Sequence, residues 1–100
     1  MNTIVGTISD SSATGSATSG DNSNVGGLVG DNDGTFESRG TIEASRASGP
    51  ANGGSNGNVG GLVGLNYGQI IRSSATGKPT GGPGSRVGAL VGDNQGIITP

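Results

Sequence analysis

The chain has 100 residues, a formal net charge of −2, 23 glycines and neither cysteine nor histidine, which excludes disulfides, zinc–thiolate centres, thiol nucleophiles and imidazole bases or ligands. Five scattered Lys and Arg residues argue against nucleic acid as a partner, and no apolar run approaches the roughly 20 residues that span a bilayer. Leu, Ile, Val and Phe make up just under a fifth of the chain, but so low a net charge speaks against a solvated coil and for a repetitive β structure.

Read from its start, MNTIVGTISD lacks the basic residues and apolar stretch of a signal peptide, so an exported protein would need a leader elsewhere or another route out. Ile4 and Val5 form a candidate assembly end. GTISDSSATG (6–15) follows, and after a Ser-, Gly- and Asn-rich link comes VGGLVGDN (25–32). Both blocks recur. GTIEASRASG (40–49) precedes VGGLVGLN (59–66), and GQIIRSSATG (68–77) precedes VGALVGDN (87–94). In every copy the leading glycine (Gly6, Gly40, Gly68) stands 19 residues before the valine (Val25, Val59, Val87), which joins the two blocks into one unit.

The unit is 28 residues long between Val59 and Val87 but 34 between Val25 and Val59, the excess falling on an insertion, TFESRG at 35–40, after DNDG (31–34). A surface loop is expected there. GIITP (96–100) then opens a further copy, with Ile98 in the column of Ile8, Ile42 and Ile70. The chain reads as one repeat domain: a first coil at about 6–33, a second at about 34–67, a third at about 68–95 and the start of a fourth at 96–100.

Short β-branched segments punctuated by Gly, Asn and Ser do not suit helical repeats, and glycine at this density would cost about 1 kcal/mol per position in a helix. The expectation is an all-β fold, a β-solenoid or parallel β-helix of about three coils, each column stacking on itself about 4.8 Å above the last. Ile8, Ile42, Ile70 and Ile98 would form one aliphatic stack, with Ala13, Ala47 and Ala75 where space is tight. Val25, Val59 and Val87, with Val29, Val63 and Val91, would line the opposite wall. Asn32, Asn66 and Asn94 share a column in which stacked amides can bond to one another and to turn backbone. The column Leu28, Leu62 and Leu90 has two readings: strict alternation exposes it as a strip for lateral bundling, whereas a bend at the Gly-Gly pair turns it inward. The inward reading is preferred because a small solenoid needs all its aliphatic residues.

GGLVG at 26–30 and 60–64, with GALVG at 88–92, resembles the GLUG motif, and the neighbouring N-x-G-x-I and SSATG segments resemble the longer repeat around it in bacterial surface adhesins, haemagglutinin-like exoproteins and some immunoglobulin A proteases. The resemblance covers essentially the whole chain and departs at Ala89, Leu65 and the insertion. It implies an extracellular repetitive β scaffold and brings no catalytic residue with it.

No catalytic, cofactor-binding or metal-binding residues are assigned. Asp31 and Asp33 lack the EF-hand pattern, since Phe36 and Ile42 stand where its glycine and glutamate belong. TGKPT (76–80) fails as a phosphate loop because Arg72 replaces the leading glycine and Pro79 follows Lys78. Hydroxyl columns, Ser11, Ser45 and Ser73 together with Thr14, Ser48 and Thr76, raise ice binding as a distant alternative, though Arg46 interrupts the column of Ser12 and Ser74. For sugar stacking only Phe36 and Tyr67 are available.

Three coils make a disc roughly 15 Å tall with unpaired strand edges on both ends. The expected function is therefore a structural, non-enzymatic, extracellular or cell-surface solenoid. Its apolar end at Ile97 and Ile98 would meet the start of a second copy, building a head-to-tail homopolymer. The alternative is a piece of a long adhesin stalk. The initial Met and near-whole number of turns favour the subunit.

Overall fold

β-Branched residues set between Gly, Ser and Asn punctuation form strands of only two to four residues. The structure is a computed structural model describing residues 6–33 and 40–100, and among them it contains strands and no helix. Each coil contributes a strand to each of five parallel sheets, which form the walls. The first wall stacks Thr7–Ser9, Thr41–Glu43, Gln69–Ile71 and Ile97–Thr99. The second stacks Ser12–Ala13, Arg46–Ala47 and Ser74–Ala75, and the third Ala17–Thr18, Ala51–Asn52 and Pro79–Thr80. Asn24–Gly26, Asn58–Gly60 and Arg86–Gly88 make the fourth, and Val29–Asn32, Val63–Asn66 and Val91–Asn94 the fifth. The molecule is a parallel β-solenoid.

Stacking is in register. Ile8 pairs with Ile42, Ile42 with Ile70 and Ile70 with Ile98, while Val25, Val59 and Val87 form another column and Val29, Val63 and Val91 a third. Between the first and second coils six more residues separate the asparagine from the first wall than between the second and third. Gly40 takes a ladder position, accepting from the Gln69 amide, and its own N–H donates to the Asp33 carbonyl at 2.8 Å. The additional residues are therefore 34–39, one position earlier than the 35–40 expected from the sequence. They lie outside the described residues, as does Phe36.

The apolar residues separate into two clusters. The larger joins Ile42 and Ile70 to Ala47, Leu62, Val29 and Val63, flanked by Ile8, Ala13, Leu28, Ala75, Leu90 and Val91. The smaller joins Val25 and Val59 to Ala51 and Ala17. The two valine columns therefore do not share a wall facing the isoleucines, which corrects the sequence reading. The reason is the arch between them: a Cβ at Gly30 would lie 2.9 Å from the Asn24 carbonyl oxygen, and one at Gly64 2.6 Å from the Val25 amide nitrogen. Gly at the first and fifth positions of G-x-x-x-G lets the fourth and fifth walls pack backbone against backbone.

Candidate functional site

Three features are candidates: the internal side-chain ladders, the outer hydroxyl columns and the end faces. Of the ladders, the asparagine column is the most fully bonded. Asn32 Nδ2 donates to Asn66 Oδ1 at 2.7 Å, and Asn66 Nδ2 donates to Asn94 Oδ1 at 2.8 Å. Asn66 Oδ1 also accepts the Gly68 amide, and Asn94 Oδ1 accepts the Gly96 amide, so each side chain closes its own corner while bonding to a neighbouring coil. Asn32 and Asn66 are buried and Asn94 is exposed. The column is a structural spine.

A second ladder sits at the corner between the first and second walls. Ser45 Oγ donates to the Glu43 carbonyl and accepts the Ser11 amide, and Ser73 Oγ donates to the Ile71 carbonyl and accepts the Ser45 amide. The preceding residues, Asp10, Ala44 and Arg72, have φ of 49°, 50° and 46°, and it is this left-handed corner that turns the serines onto backbone. Ser11, Ser45 and Ser73 are thus committed to internal bonds, and Ser45 is buried. They do not offer the hydroxyl array that an ice-binding face would need. Ser12, Thr14, Arg46, Ser48, Ser74 and Thr76 are exposed, with a guanidinium interrupting the middle coil.

Leu62 is fully buried, and Leu28 and Leu90 pack against the larger cluster. The leucine column faces inward, so there is no apolar strip along it for lateral bundling. Acidic groups do not gather into a metal site: among the described residues no three of them converge. Asp31 shares a column with Leu65 and Asp93. Its Oδ1 is buried without a hydrogen-bond partner, and burial, followed by repulsion from Asp33, pushes its carboxyl above the ordinary value. Asp93 is held by Arg86 at 2.8 Å, and Arg72 pairs with Glu43 across exposed surface.

The ends differ from the middle. Val59, Ile42 and Ile70 are fully buried, whereas at the last coil Val87 is 47 %, Ile97 45 % and Ile98 40 % exposed. Ile4 and Val5, the candidate start of the assembly surface, lie outside the described residues.

A family model for the GLUG motif matches residues 21–52 and 55–80, each span containing one complete Val-to-Asn arch. The chain belongs to the GLUG-motif family. The third GLUG arch, 87–94, falls outside the matched spans but has the same register. No curated protein and no solved structure matches the chain. In structural terms the GLUG motif is a β-arch: its glycines let two strands of one coil pack back to back, its leucine enters the larger core, and the asparagine two residues after its last glycine starts the amide ladder. The alignment of repeats located these columns. It did not find the serine corner ladder as an internal element, whose signal was the invariant serine directly after Asp10, Ala44 and Arg72.

Proposed function

We propose that the chain is a non-catalytic structural solenoid of the cell exterior, a rigid repeat segment of an adhesin-type attachment protein. The observation that carries the reading is the commitment of its ladders: the buried asparagines and corner serines bond to one another and to backbone, leaving a scaffold where an enzyme would hold reactive groups. Membership of the GLUG family adds support, since the motif resembles repeats of bacterial surface proteins. Immunogold labelling of intact source cells with antibody raised to the purified chain should decorate the outer surface. Gold found only after permeabilisation would overturn the reading.

A second reading, end-to-end stacking into a fibre or filament, draws on the apolar exposure of Val87, Ile97 and Ile98 at the last coil. Fibres of constant width in negative-stain micrographs, with light scattering that rises with concentration, would support it. Compact particles at every concentration would remove it.

A further inference from the structure

Among the columns at which the third coil departs from the first two, two departures act on the face where a fourth coil would sit. The first is the Gly27, Gly61, Ala89 column. A Cβ at Gly27 would lie 2.7 Å from Ala47 Cβ in the next coil and well inside contact distance of the Gly61 carbonyl oxygen. One at Gly61 would lie 2.8 Å from Ala75 Cβ and inside contact distance of the Ala89 carbonyl oxygen. Glycine here is a condition for carrying the next coil. Ala89 has the methyl group that the column forbids, and it is exposed.

The second departure is the Ala17, Ala51, Pro79 column. Ala17 donates its N–H to the Pro50 carbonyl of the second coil at 2.9 Å, and Ala51 donates to the Lys78 carbonyl of the third at 3.2 Å. Pro79 has no N–H, and its ring occupies the space through which that bond would run. It still pairs with Ala51 on its other side, so the proline costs the existing stack nothing. On the opposite face two glycine columns are kept. Gly15 and Gly20 keep their glycine although nothing lies within 4 Å of a Cβ built there.

We infer that Ala89 and Pro79 make the third coil a terminating coil, whose face refuses another GLUG coil in register, whether from the same chain or from a second copy. The first wall continues to Ile97–Thr99, but a fourth coil could not close past the third wall and the arch. The inference rests on stacking geometry and not on the proposed location, and it counts against in-register fibre growth from this face.

The test extends the full chain after Thr99 with a second copy of the sequence of residues 44–66, in the native background and in one with Pro79→Ala and Ala89→Gly. Limited proteolysis and amide hydrogen exchange then report on the added segment. The expected result is rapid cleavage in the native background and cleavage at least about tenfold slower in the double variant. Equal protection in both backgrounds, or protection in neither, overturns the inference. The double variant without the extension should melt as the native chain does, which separates refused stacking from a damaged third coil. Surface labelling of cells is blind to this difference, so the two proposals fail independently.

Discussion

Asn66 bonds to the coil on either side of it and to its own corner, all without exposed surface. Asn66→Ala should cost about 2–3 kcal/mol, because both ladder bonds are lost inside the coil and the Gly68 amide keeps only its 3.1 Å bond to the Asn32 carbonyl. Asn94→Ala, at the exposed end of the same column, should cost under about 1 kcal/mol. Urea denaturation compares them directly, and equal losses would refute the ladder account. Asp31 is the opposite case, a side chain that the fold disfavours in its charged form. Its folded pKa is raised, so its stabilising contribution is complete below the ordinary value of 3.8 and is lost as pH rises through the higher folded value. Asp31→Asn should therefore raise the melting temperature at neutral pH and flatten the acid side of the profile. Melts between about pH 3 and pH 7 would show it, and a variant that is less stable at neutral pH would contradict it.

At the level of elements, the fifth wall is followed by a tight corner in two coils and by a longer connection in the first. Asn66 and Gly68 are separated by Tyr67 alone, and Asn94 and Gly96 by Gln95, whereas Asn32 and Gly40 enclose the six additional residues. Asp33 and Gly40 already close the base of that connection with a hydrogen bond. Deleting 34–39 should join them into the same corner the other coils use, and removing a loop adds a little loop-closure entropy in favour of folding. The deletion variant is expected to keep its β circular dichroism spectrum and to melt no lower than the parent. A lost spectrum would mean that the inserted residues are needed for the first and second coils to stack.

Across the whole molecule, burial rises to the middle coil and falls at both ends, as the one-dimensional stacking of a solenoid requires. Ile70 has a neighbouring isoleucine on each side and no exposed surface, while Ile98 has one on one side and is partly open. Ile70→Ala should cost about 2–5 kcal/mol and Ile98→Ala under about 1.5 kcal/mol. Hydrogen exchange should follow the same gradient, with the slowest amides in the strands of the second coil. Uniform protection from end to end would show that the three coils unfold as one unit.

The repeat arithmetic determined the coil, its parallel register and the isoleucine, valine and asparagine columns, because a side chain that recurs at fixed spacing can stack only on its own copies. Only the tertiary structure decided which core each column enters. Val25 and Val29 are four residues apart and look equivalent in sequence, yet glycines at 26 and 30 bring their strands back to back and send the two valines into different clusters. The same arch decided that the leucines face inward. Alternation along a strand cannot show this, since it assumes the chain stays straight where paired glycines bend it. The part played by Ala89 was likewise hidden: in sequence it is a mild departure from the motif, and its meaning depends on the carbonyl oxygen that a Cβ in that column would strike in the next coil.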